Sequence, residues 1–94
     1  MTLDNSIFIG PKAFMNYVTG VVMQFTTEDA NEVIVKARGK FITRAVDVSQ
    51  MAVKQFLEDQ IEVKNISIDS DKVTNKDGKE VQVSSIEITL GRIE

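Results

Sequence analysis

Val33-Ile34-Val35-Lys36-Ala37-Arg38-Gly39-Lys40 lies near the middle of the chain and decides how the rest can be arranged. Its first half is β-branched, so it reads as a strand, and Gly39 stops it. Strand alternation sends Val33, Val35 and Ala37 to one face and Lys36 and Arg38 to the other. Such a strand needs cover on its apolar side. The neighbouring stretches supply it. Upstream, Phe14, Met15, Val18, Val21, Val22 and Phe25 recur at offsets of about three and four, the face of an amphipathic helix running from Lys12 to near Thr26-Thr27. Downstream, Ile42, Ala45, Val46, Ser49, Val53, Phe56 and Leu57 mark a second helix, with Thr43 as its expected cap.

Further out, Ser6-Ile7-Phe8-Ile9 is a short apolar run ended by Gly10-Pro11, which reads as a buried strand and a break. Glu28-Asp29-Ala30-Asn31-Glu32 is an acidic connection. Two long strand patterns close the chain, from residue 61 to about 73 and from 79 to about 90, joined by the turn signal Asn75-Lys76-Asp77-Gly78. The order βαβαββ predicts a right-handed crossover between two parallel strands. It also predicts an α/β (α+β) two-layer sandwich, with both helices on one face of a mixed sheet. Apolar residues alternate at the base of the hairpin (Ile61, Val63, Ile66, Ile68 and Ile86, Ile88, Leu90). Between Asp69 and Glu80 the only strongly apolar residue is Val73, so that part has little to bury and should project as an arm, residues 69–82. The alternation shifts phase near Asn65 and near Ser84-Ser85, through bulges or a change in the face that needs cover.

Composition narrows the function. Ninety-four residues with 43% hydrophobic and 27% charged content make one globular domain, residues 1–94. No apolar run approaches the roughly 20 residues that cross a bilayer, and Met1-Thr2-Leu3-Asp4 does not read as a signal peptide. The chain has no cysteine and no histidine. That removes disulfides, thiolate zinc sites, cysteine nucleophiles, and the commonest metal ligand and general base. No cofactor or metal is expected, and an enzyme is the least favoured class. A cytosolic binding module is the default.

Net charge is −3, which argues mildly against nucleic acid, but partners meet the distribution and not the sum. Lys36, Arg38, Lys40 and Arg44 fall within nine positions with no acid between Val33 and Val46. Arg44 lies in the first turn of the second helix, where the macrodipole favours an acid. If the first two strands are parallel, Lys12 joins Lys40 and Arg44 at the same sheet edge, beside two helix N-termini. Phosphate suits such an edge; a solvated basic loop would carry the same residues. Gly10-Pro11-Lys12 is not a P-loop, and the Glu28–Glu32 acids fit no EF-hand. Tyr17, next to Asn16, could stack on a base or simply pack.

Several of these segments resemble the Alba family of archaeal chromatin proteins. They are Phe8-Ile9-Gly10-Pro11-Lys12 with Phe14-Met15-Asn16-Tyr17-Val18, and Val35-Lys36-Ala37-Arg38-Gly39-Lys40 with Ile42-Thr43-Arg44-Ala45-Val46-Asp47. The likeness continues through Phe56-Leu57 and Val83-Ser84-Ser85-Ile86-Glu87-Ile88 and covers nearly the whole chain. It implies the fold of a bacterial translation initiation factor's C-terminal domain. It further implies a cytoplasmic, chromosome-associated homodimer that binds double-stranded DNA and also RNA, its two arms reaching along the minor groove. Nucleic-acid contacts would fall on Lys12, Asn16, Tyr17, Lys36, Arg38, Lys40 and Arg44, with a smaller share on Lys76 and Lys79. Side-by-side contact between dimers would use Phe56, and residues around Val48, Met51, Ala52 and the hairpin base would serve the interfaces.

There are departures. The family loop usually has two adjacent lysines, the first a site of regulatory acetylation; Pro11 stands there, leaving Lys12 as the only loop lysine. Lys72, Lys76 and Lys79 against Asp69, Asp71, Asp77 and Glu80 leave the arm one charge negative. Binding to duplex DNA is therefore expected to be weaker than in basic relatives. Two other readings stay open: an RNA-binding protein of RNA processing or translation, and a module whose basic edge meets an acidic protein.

Overall fold

The computed structural model describes residues 5–94; the N-terminal tetrapeptide considered above lies outside them. Strand β1 (Ser6–Phe8) leads into helix α1 (Phe14–Thr26), strand β2 (Glu32–Arg38), helix α2 (Ile42–Met51) and the long strands β3 (Ile61–Thr74) and β4 (Glu80–Arg92). The sheet order is β1-β2-β4-β3, with β1 parallel to β2 and the other pairs antiparallel. This is the expected βαβαββ mixed sheet under two helices.

The core lies between the sheet and the helices. Val33, Val35 and Ala37 of β2 and Ile86, Ile88 and Leu90 of β4 are buried against Val18, Val21 and Phe25 of α1. Helix α2 and the first residue after it turn Ala45, Val48, Ser49 and Ala52 inward. Those positions follow the i, i+3, i+4, i+7 spacing of one helix face. Val48 and Ala52, expected at an interface, are therefore core residues. So is Ser49, whose buried Oγ has no hydrogen-bond partner.

Other expectations also change. Helix α1 begins at Phe14, not Lys12, and Met15 lies largely exposed on its outer side. Thr43 caps nothing: Gly39, at φ +55°, opens a 3₁₀ turn (Gly39–Phe41) that runs straight into α2, with Phe41 at the cap position. A residue with positive φ is cheap only as glycine, so the stop after β2 and the start of α2 are one event. The end of α2 widens into a π-helical turn (Ala52–Phe56). Phe8, read as part of a buried strand, is 69% exposed.

The two phase shifts have different origins. In β3 there is a bulge between Val63 and Asn65, where the Lys64 stem lies across Gly91. The Lys64 ammonium is bonded to Glu62 at 2.9 Å, and this bond, against a smaller opposing effect of burial, holds its pKa above the ordinary lysine value. In β4 pairing is continuous from Glu80 to Arg92, and only the face that carries the apolar residues changes. After the bulge Ile66 and Ile68 stand opposite Ile88 and Ile86, on the helix side, yet 57% and 77% exposed. The edge strand has passed beyond the cover of α2.

Beyond Ile68 the hairpin leaves α1 and α2, passing the 3₁₀ turn where Val83 approaches Gly39. Its tip is held by Asn75, whose Oδ1 accepts from Asp77 N and Lys79 N at 3.0 Å each, and by Gly78 at φ +78°. The radius of gyration is 14.4 Å, against about 12.4 Å for a compact chain of this length.

Candidate nucleic-acid interface

The site begins with the parallel pairing of β1 and β2. Ile9 N donates to Lys36 O at 2.8 Å, so both strands leave the sheet at the same end, and both lead into a helix. The loop after β1 carries Lys12; the 3₁₀ turn after β2 carries Lys40. Neither helix has an acid in its first turn or a side-chain cap. Ile42 N donates to Gly39 O and Asn16 N to Ala13 O; the N–H groups left over at the start of α1 and of the 3₁₀ turn add positive potential to that end.

Two side chains hold the loop in place. The Tyr17 hydroxyl oxygen accepts from Gly10 N at 3.0 Å and from Lys12 N at 3.1 Å. From the other side, Arg44 Nη1 donates to Gly10 O at 3.3 Å and to Lys12 O. Tyr17 is three residues into α1 and Arg44 is in the first turn of α2. The loop is thus tied to both helices at once. An added Cβ on Gly10 would come within 3.3 Å of Tyr17 Oη, tighter than ordinary contact, so the close approach favours glycine there.

The candidate residues separate into four places. Lys12, Tyr17 and Arg44 meet at the loop corner, with Lys40 on the 3₁₀ turn at the same end of the sheet and Asn16 exposed next to Tyr17. Tyr17 and Arg44 are half-buried braces of the loop. Lys12 and Lys40 are the exposed cations, and Lys40 Nζ lies 5.4 Å from the Phe41 ring centre. Lys36 and Arg38 lie on the uncovered face of the sheet, as alternation predicted. Lys76 and Lys79 are at the arm tip. Phe56 is 49% exposed at the far end of α2, about 20 Å from the corner at 1.5 Å per residue. Among the described residues the ion pairs are Lys64–Glu62 and Arg92–Asp29, so Lys12, Lys36, Arg38 and Lys40 keep their charges free. Sequence reasoning missed the loop-tying role of Arg44, because its partners lie 32 and 34 residues away. No group of acidic residues placed to hold a metal occurs among the described residues, and none of their helices is long and apolar enough to cross a membrane.

A sandwich of this topology, with a braced basic loop at one end and a long free hairpin, defines a small class of α+β proteins. The family model described as Alba matches residues 5–70. Among relatives, a DNA/RNA-binding protein Alba of Methanococcus maripaludis is 49% identical over 88 residues, spanning 94% of this chain and 98% of the relative. One of Nanoarchaeum equitans is 51% identical over 85 residues, spanning 89% and 93%. The solved structure of Alba from Thermoplasma volcanium superposes with a TM-score of 0.85 at 45% identity, covering 94% of this chain and all of that one. ALBA1 from Trypanosoma brucei, at 24% identity and a TM-score of 0.75, shares the fold over this whole chain and 74% of its own. The chain belongs to the Alba family.

Proposed function

We propose that this protein binds nucleic acid as a homodimer, with duplex DNA as the principal ligand and RNA as a second, in the manner of an archaeal chromatin protein and without a catalytic role. The observation that carries the reading is the loop corner: Lys12, unpaired, on a loop braced by Tyr17 and Arg44, with the unpaired Lys40 on the 3₁₀ turn that leads into α2. A pre-ordered loop loses little freedom when a phosphate arrives. The relatives from Methanococcus maripaludis and Nanoarchaeum equitans are DNA/RNA-binding proteins.

In this reading Lys12 and Lys40 contact phosphates first, Lys36 and Arg38 extend the basic surface, and Lys76 and Lys79 add a smaller share from the arms. The whole of residues 1–94 acts as one domain, its arm about residues 69–82. The dimer forms through the apolar surface that α2 and the edge strand leave open, Ile42, Val46, Ile66 and Ile68. Phe56, at the opposite end of α2, is free for contact between dimers along DNA. The place of action is the cytoplasm, on the chromosome.

A salt titration of binding to labelled DNA and RNA duplexes by fluorescence anisotropy tests the reading. Each phosphate contact contributes about 0.9 to the slope of log affinity against log salt. Lys12→Ala/Lys40→Ala removes four cations per dimer, so the slope should flatten by about 3 to 4 units with the fold intact. Absence of binding to either duplex at low salt would sink the proposal. Equal binding by the variant would move the ligand away from the corner.

A further inference from the structure

The uncovered face of the sheet has a composition that duplex binding does not require. Across the strands it changes from aromatic to basic to acidic. Phe8 of β1 stands beside Lys36 of β2, which stands opposite Glu87 of β4; one step along, Arg38 faces Ser85 and Ser85 faces Asp69. Phe8 is the most exposed aromatic side chain, at 69%. One exposed apolar residue needs no explanation. This one, however, lines a shallow recess with Lys36, Arg38, Ser85, Asp71 and Glu87, on the sheet face away from both helices and with half-buried Ile34 diagonal to it. Its neighbour Lys36 places Nζ 5.4 Å from the ring centre, and makes no ion pair with the Glu87 opposite.

We propose that this face binds single-stranded nucleic acid, with one unpaired base stacked on Phe8 and the flanking phosphates on Lys36 and Arg38. The inference rests on the nucleic-acid reading above and assigns a second surface to it. An aromatic ring can stack only on a base whose face is free, and in a duplex both faces are taken by neighbours. Phe8 therefore selects for single strands, whereas phosphate contacts at the corner serve either form. The charge gradient fixes the path. Glu87 and Asp71 form the far wall of the same recess, with Asp69 opposite Ser85 beyond, so a phosphate chain is held to its β1–β2 wall and leads past Arg38 towards Lys40. The two sites are continuous: a single strand emerging from a duplex end at the corner would pass onto Phe8.

The chain contains no tryptophan, so Phe8→Trp installs a sole indole reporter at the stacking position. Titration with the ten-residue strands dT10 and U10 should quench its fluorescence saturably, and the two strands separate a DNA from an RNA preference. By anisotropy, Phe8→Ala should bind the same strands about 5- to 140-fold more weakly, which is about 1–3 kcal/mol at 1.4 kcal/mol per tenfold. Its affinity for a blunt duplex should be unchanged. Phe8→Leu, which keeps the bulk and loses the ring face, should behave like the alanine variant; because residue 8 is exposed, all three should keep the wild-type melting temperature. Unquenched indole, or a Phe8→Ala protein that holds single strands as tightly as wild type, overturns the proposal. So does an equal loss on duplex and single strand. Duplex binding with no single-strand binding would remove this inference and leave the corner standing; loss of both ligands in the wild type would remove both.

Discussion

Tyr17 and Arg44 both touch the loop that carries Lys12, and neither needs to touch a phosphate to matter. Tyr17→Phe keeps the ring and removes the acceptor for two backbone N–H groups. At about 0.5–1.5 kcal/mol per bond, discounted because Lys12 N is open to water, the loss is about 1–2 kcal/mol. Duplex affinity should fall while the salt slope stays the same, since no charge has been removed. A flatter slope would make the Tyr17 hydroxyl itself a phosphate contact. Arg44 separates the two roles in another way. Its Nη1 reaches two carbonyl oxygens at once; a lysine ammonium has the donors for both, but it ends a shorter stem and lacks the planar guanidinium that fixes their direction. Arg44→Lys should therefore bind duplex nearly as poorly as Arg44→Ala; recovery by lysine would mean that only the charge counts. Ser49 is the opposite case. Its buried hydroxyl has no partner, and burying an unpaired hydroxyl costs about 1–3 kcal/mol. Ser49→Ala should raise the melting temperature, by about 4–8 °C per kcal/mol for a domain of this size. A fall would reveal a partner that forms only in the assembled protein.

Elements differ in how far sequence alone foretells them. The alternation of β2, the Asn75–Gly78 turn and the order βαβαββ were legible because each depends on neighbours in the chain: a period of two, a turn residue able to take positive φ, a helical repeat. Lys36 and Arg38 fell on the open face for the same reason, and Lys12 reached the corner because parallel strands share an end. What failed depends on which element covers which. Ile66 and Ile68 continue the apolar pattern of β3 but outrun α2; Val48 and Ala52 look available on a helical wheel but face the sheet. Thr43 has the right chemistry for a cap, and the 3₁₀ turn released by Gly39 takes the position first. The exposed isoleucines and the half-buried Ile42 lie on one side of the molecule around a recess between α2 and the hairpin, lined in part by Ile42, Ile68 and Ile86. Ile66→Lys/Ile68→Lys should split the proposed dimer into folded monomers, read by sedimentation equilibrium together with circular dichroism. A charged pair on an exposed strand leaves the monomer core intact, so a variant that stays dimeric would place the interface elsewhere.

At the scale of the whole molecule, acidity and a nucleic-acid ligand are compatible because charge is segregated. The corner and β2 hold unpaired cations, while Asp69, Asp71, Asp77 and Glu80 keep the arm one charge negative. An arm that approaches a duplex with that balance is repelled at low ionic strength, where the Debye length reaches about 30 Å at 0.01 M, and far less at 1 M, where it is about 3 Å. The arm's net acidity then offsets the share that Lys76 and Lys79 add, most strongly in the conditions where the corner contributes most, which makes the net salt dependence shallow. Reversing the arm's charge tests this directly. Asp71→Lys/Glu80→Lys changes two exposed positions on paired strands and four charge units per arm, with little effect expected on folding, within about 0.5 kcal/mol. Duplex binding should tighten at low salt and its slope should steepen by about 0.9 for each new phosphate contact. The gain should shrink as salt rises and vanish near 1 M. If the gain persists undiminished at high salt, the arm acts through something other than charge. If affinity and slope are both unchanged at low salt, the arms do not approach the duplex, and the corner alone carries the ligand.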